Sequence, residues 1–169
     1  MALTQVINDG LATSGLPAGS VVQVVHVQDG AVASTSSSIA HDDSIPQNSE
    51  GAEFMTLAIT PTNSSNKLMI DVVVYGAANE ANKIVTVGLF QDSTANALAT
   101  GAFVAAKENS PYHVSITHFM TAGTTSATTF KVRAGTDPTA TFTFNGRDGT
   151  NRRYAGTNAS SITITEIAT

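Results

Sequence analysis

Between Met55 and Tyr75 the chain reads M-T-L-A-I-T-P-T-N-S-S-N-K-L-M-I-D-V-V-V-Y, two alternating apolar runs around a break of Pro, Asn and Ser. Side chains on a strand repeat every two residues, so Met55, Leu57 and Ile59 share one face of the first run. Leu68, Ile70, Val72 and Val74 share one face of the second. Pro61 cannot donate to a strand ladder, and Asn63-Ser64-Ser65-Asn66 are residues whose short side chains bond nearby backbone. The pattern predicts two strands joined as a β-hairpin. The reverse face of the second strand is also apolar, through Met69, Val73 and Tyr75. An apolar outer face in so small a chain calls for cover, and self-association supplies it, which makes Met69, Val73 and Tyr75 interface candidates.

The same short period recurs along the chain. Ser20–Gln28 is a strand with apolar residues on both faces, expected to be central in a sheet or packed on another subunit. Lys83–Gln91, Tyr112–Met120, Thr128–Arg133, Thr139–Phe144 and Ser161–Ile167 alternate cleanly. Residues 97–106 are weakly patterned and read as either a strand or one helical turn. Turn residues separate these runs and no amphipathic helix is present, so the fold class is all-β: an antiparallel β-sandwich or jelly roll of about eight or nine short strands. Residues 1–19 lack a period and read as an N-terminal arm for docking; residues 20–169 form the sandwich domain.

Composition narrows the function. Only 12% of residues are charged and the net charge is −5, which argues against nucleic acid or an anionic membrane as partner. No run approaches the roughly 18 apolar residues of a membrane helix. Ser and Thr make up roughly a quarter of the chain, against a charged surface in ordinary soluble domains. Cysteine is absent, which removes disulfides, thiolate metal sites and Cys nucleophiles. Met1-Ala2-Leu3-Thr4 shows no basic export signal, so a surface-type protein of this kind is expected to leave the cell within a particle.

Few residues offer chemistry. His41-Asp42-Asp43 in the long polar loop 31–52 are weak metal candidates, since adjacent residues on an extended chain point apart; a solvated loop is the plainer account. His113 and His118 lie five apart on one strand and face opposite sides; His118, like His26, is expected in the core or an interface. Asp42/Asp43 and Glu50/Glu53 are the acidic clusters, and neither forms an acid/base constellation. The chain is therefore expected to be non-enzymatic, with no catalytic residue and no cofactor. The most distinctive polar segment is Asn145–Tyr154, where Arg147, Arg152 and Arg153 offer bidentate donors and Tyr154 a stacking face. These are ligand-loop candidates for a sugar or an anion, unless the arginines pair with acidic residues of this chain or a neighbouring subunit.

Three stretches carry a resemblance. Leu57–Ile70 resembles the "ITPxSSxNKxLI" segment of small virion proteins of tailed bacteriophages; Gly19–Val24 resembles their "GSVVQV" opening strand; Ser160–Ile167 resembles their "SxITIxEI" closing strand. Residues 76–125 match none of their motifs. The resemblance implies a virion surface protein, homotrimeric, attached to other virion proteins through residues 1–19, with a host surface glycan as a further expected partner. A short fibre or receptor-binding tip is expected first, a capsid decoration protein second, and a free carbohydrate-binding module third.

Overall fold

The computed structural model describes residues 16–169; of the arm at residues 1–19, positions 1–15 lie outside the described residues. The strands lie in two antiparallel sheets packed face to face. In the first sheet β1 (Val21–Asp29) pairs with β10 (Ser160–Ile167), β10 with β4 (Lys67–Ala78), and β4 with β7 (Tyr112–Thr121). The far end of β4 pairs with β9 (Phe142–Phe144), which pairs in turn with β2 (Ala33–Thr35). The second sheet runs β3 (Ala52–Ile59), β8 (Thr128–Thr136), β5 (Lys83–Gln91) and β6 (Ala99–Ala105). The orders β1-β10-β4-β7 and β3-β8-β5-β6 are the wiring of a jelly roll.

The alternating apolar positions meet between the sheets. Leu68, Ile70, Val72, Val74, Val114, Ile116, Ile162 and Ile164 of the first sheet face Met55, Ile59, Val85, Val87, Leu89, Phe130 and Val132 of the second, all buried. Each such side chain stabilises the fold by about 1.5–3 kcal/mol relative to exposure. Phe54 sits beside a bulge in β3 and packs on Phe142 and Phe144 at 5.7 and 4.7 Å between ring centres. Gly101 lets β6 close on β7, because a β-carbon there would lie 2.7 Å from Val114 Cγ1.

Three expectations change, and the open reading of residues 97–106 resolves to a strand. The stretch 55–75 is no hairpin: β3 and β4 belong to different sheets, and Thr60–Asn66 arches across the end of the sandwich. The two inward faces still meet, across the core rather than side by side. Strand β1 is an edge strand, bonded only to β10, and not central. The weakly patterned 97–106 contains β6, an edge strand whose outward residues need no hydrophobic character. His26 lies exposed on the outer face, its Nδ1 2.8 Å from Thr163 Oγ1, whereas His118 is half-buried beside Ile70.

The arch is held by one buried carboxylate. Glu166, 0% exposed, points inward from β10. Its Oε1 accepts from Thr62 N and Oγ1, both at 2.8 Å, from Asn63 N at 3.3 Å and from Asn66 Nδ2 at 2.7 Å. Its Oε2 accepts from Gln23 Nε2 on β1 at 2.6 Å. Desolvation pushes this carboxyl up, but the hydrogen bonds from Gln23, Asn66 and Thr62 together outweigh it and hold it below its ordinary value.

Glu166→Ala leaves these donors without an acceptor and is expected to cost about 3 kcal/mol in urea denaturation, while Glu166→Gln, which keeps one neutral acceptor, costs less. Because the folded-state value is depressed, the stabilisation from Glu166 is present at neutral pH and lost as pH falls through that value. The stability gap between wild type and Glu166→Gln should therefore close in acid; a gap independent of pH would show that the charge contributes nothing.

Candidate functional site

The loop that joins β9 to β10 folds over one end of the first sheet and presents the Arg and Tyr side chains singled out above. It is anchored by Asn145, which is buried and has a φ of 53°. Asn tolerates this left-handed conformation better than most residues. Its Nδ2 donates to the carbonyls of Asp29 at 2.6 Å and Ala31 at 3.0 Å. Its Oδ1 accepts from Ser160 N at 3.0 Å and Oγ at 2.7 Å. Asn145 thus ties the start of the loop to its end and to the β1–β2 connection. Gly30 completes the dock, since a β-carbon there would collide with the Gly156 carbonyl oxygen.

From this anchor the chain makes a tight turn, with Arg147 N bonded to Asn151 O at 3.1 Å, and then a short 3-10 turn at Tyr154–Gly156. Tyr154 and Ala155 adopt φ of 50° and 52° in succession. Left-handed conformations at non-glycine residues cost of order 1–3 kcal/mol each and persist where the surroundings hold them. Here they throw the Tyr154 ring outward, 76% exposed. Arg147, Arg152 and Arg153 are exposed as well. Arg147 Nε donates to Asn109 O at 3.0 Å. Among the described residues the ion pairs are Lys83–Glu80, Lys131–Glu53 and Arg133–Glu53, so no described acidic side chain pairs with the loop arginines. Three guanidinium groups and a phenol ring therefore stand in solvent on an otherwise acidic molecule.

The loop also corrects the reasoning about Tyr75. That residue is 4% exposed, covered by its own chain and not left for another subunit. Its ring lies 5.0 Å from that of His113, whose Nε2 is 3.2 Å from Asn158 Oδ1. Burial pushes the phenol up. Ser160, whose Oγ accepts from Tyr75 N at 2.9 Å, and His113 both come from segments distant in sequence. No local pattern around Tyr75 could have signalled them.

Met69 and Val73 stand on the open part of the same outer face. Pairing places Met69 between Thr165 and Phe119, with Val24 beyond Thr165. Val73 lies between Ser161 and Ser115. Val21, at 57% exposed, pairs with Ile167 in the adjoining row. Val24 and Phe119 are 54% and 55% exposed, so an apolar band crosses four strands, β1, β10, β4 and β7. Sequence reading found Met69 but missed Val21, Val24 and Phe119, because their common face depends on strand order.

The acidic clusters are structural. Glu53 pairs with Lys131 and Arg133 at 3.7 and 3.8 Å. The Glu50 carboxylate accepts from Gln47 N at 2.6 Å. His41, Asp42 and Asp43 lie exposed on the loop above the second sheet. Among the described residues no three His, Asp or Glu side chains cluster as metal ligands.

No family model and no curated protein matches the chain. Among solved structures it is similar to Eiger TNF from S. frugiperda, at 9% identity and a TM-score of 0.47, over 86% of this chain and 93% of that one. It is also similar to the CBM36-1 domain of a multidomain xylanase from the hindgut metagenome of Trinervitermes trinervoides, at 14% identity and a TM-score of 0.40, over 84% and 96%. A third likeness is to the VP2 subviral particle of infectious bursal disease virus, at 9% identity and a TM-score of 0.37, over 88% of this chain and 39% of that one. At these values the assignment of function rests on the chain's own residues.

Asn145→Ala removes both arms of the anchor and leaves two carbonyls and Ser160 without their partner. We expect a loss of about 2–3 kcal/mol and faster amide exchange confined to residues 146–160. Unchanged exchange there would mean that the loop is held by other contacts.

Proposed function

We propose that this chain is a non-catalytic structural protein of a bacteriophage virion, displayed on the particle surface as a homotrimeric fibre or receptor-binding tip. The observation that carries the assembly is the apolar band of Val21, Val24, Met69, Phe119 and Ile167 across the outer face of the first sheet. Lys67 stands beside Ile167 in the Val21 row, bonded to Thr121 Oγ1 at 2.7 Å, and Asp71 lies in the row beyond Met69, so the band is flanked by one charge of each sign. Three copies that turn this face toward a common axis bury apolar surface against apolar surface. Trimeric stoichiometry, docking through residues 1–19 and the phage setting come from the sequence resemblance.

In this reading the Arg147, Arg152, Arg153 and Tyr154 loop projects beside the assembly face. It is free to meet a host surface component, a glycan among them. A capsid decoration protein would use the same face and differ in its place on the particle. Immunogold labelling with antibodies to this chain distinguishes the two: label on the tail fits the fibre, and label restricted to the head replaces it with decoration.

The assembly is tested on the purified protein. Light scattering coupled to size exclusion should give three times the chain mass. Val24→Glu with Phe119→Glu should give a monomer whose thermal stability is that of an isolated wild-type subunit, because both positions are exposed within the chain. A wild-type monomer at tens of micromolar would overturn the assembly and favour a free binding module.

A further inference from the structure

The outer face of the second sheet carries a cleft that the proposed assembly does not use. Its floor is Thr86 on β5 with Thr100 and Ala102 on β6, and its wall is the loop bearing His41, Asp42 and Ser44. The volume is about 250 Å³, below the roughly 300–1,000 Å³ of sites for drug-sized ligands. A single sugar ring is of suitable size.

Thr86 is the telling residue. Val85 and Val87 point into the core, so Thr86 points the other way, into the cleft. It is 6% exposed, and its Oγ1 has no hydrogen-bond partner. Its cross-strand neighbours are Ala102 and Gly135, neither of which has a polar side chain to offer. A buried hydroxyl without a partner costs about 1–3 kcal/mol, and a valine of the same shape would remove that cost. A ligand atom in the cleft would supply the partner that the described residues do not.

The wall is prepared in advance. Ile39, 1% exposed, pins the start of the loop, with its N bonded to Thr136 O at 3.2 Å. Pro46 O accepts from Ala97 N at 2.9 Å and pins the end. Between these points Asp42 Oδ1 accepts from Ser44 N at 2.8 Å and from Ser44 Oγ, which holds the carboxyl below its ordinary value and keeps it charged. Asp42 Oδ2 has no protein donor among the described residues and remains to accept from a ligand.

The lining selects a class of ligand. It has no Lys or Arg and one fixed carboxylate, which disfavours anions. It has no Phe, Tyr or Trp against which a nucleobase would stack, and it is too polar for a lipid chain. Hydroxyls, an imidazole and a carboxylate suit a neutral polyol, whose hydroxyls donate to Asp42 and exchange hydrogen bonds with Thr86 and His41. We infer that the cleft between the 40–46 loop and strands β5 and β6 binds a neutral monosaccharide unit, with Thr86 and Asp42 as its principal polar contacts. The virion-surface reading supplies only the source of that sugar, a host glycan; binding itself is a property of the isolated chain.

The test is a titration of the ¹⁵N-labelled full chain with the methyl glycosides of glucose, galactose, mannose, rhamnose and N-acetylglucosamine, followed by amide shifts up to about 50 mM, a range suited to millimolar affinity. At least one glycoside should give saturable shifts at Asp42, Ser44, Thr86 and Ala102. Thr86→Val should weaken it about tenfold or more while melting no lower than wild type, and Thr86→Ser should retain binding. Asp42→Asn should weaken it as well. Absence of saturable shifts with every glycoside, shifts confined to the Arg152–Tyr154 loop, or full binding by Thr86→Val would each overturn the inference. Oligomer mass is read separately, so failure of the cleft and failure of the assembly are distinguishable.

Discussion

A carboxylate with no exposure to water is stable only when its lone pairs are met, and Glu166 meets them from two directions. One oxygen takes the arch that carries the chain from the second sheet to the first, the other takes the edge strand β1. Jelly-roll wiring forces such arches, because consecutive long strands, β5 and β6 excepted, lie in opposite sheets and their connecting backbone leaves the ladder. Backbone donors at the arch then need acceptors from elsewhere. Glu166 provides them while its own strand is locked between β1 and β4. The three stretches that carry the resemblance to phage virion proteins contribute Gln23, then Thr62, Asn63 and Asn66, then Glu166 to this one cluster. That resemblance therefore marks a scaffold device. It says how the sandwich is closed and nothing about what the loops bind.

The two ends of the first sheet's outer face are treated differently. Near the β9–β10 loop the chain covers itself: Asn145 staples the loop down and Tyr75 disappears beneath it. Toward the other end the face is open and apolar, from Val21 and Val24 to Phe119. Scattered exposed hydrophobics are ordinary, but a band aligned across four neighbouring strands is the arrangement that association buries. The loop and the band are neighbours on one surface, the first closed by the chain and the second open.

The second sheet keeps its outer face largely to itself. The segment around Ile39 lies on Gly135, whose missing side chain makes room for the backbone of Ser37 and Ile39. Beyond it the cleft over Thr86 opens. The apolar band and the arginine loop thus lie on one face of the core and the cleft on the other. A fold with all its apolar alternation directed inward leaves both outer faces and the loops to vary without disturbing packing.

Strand positions, their inward faces and the all-β class were legible in the chain because period-two burial is written locally, residue by residue. Leu68, Ile70, Val72 and Val74 point inward whatever their neighbours are. What lies beside each strand was not legible. A hairpin and an inter-sheet arch place the same residue types in the same order, so Met55–Tyr75 read as one and folded as the other. The apolar band, the cover over Tyr75 and the unpartnered hydroxyl of Thr86 likewise arise from residues far apart in the chain. Local sequence determined which side of each strand is apolar; only the order in which strands pair decided which of those sides meet water, each other or a second molecule.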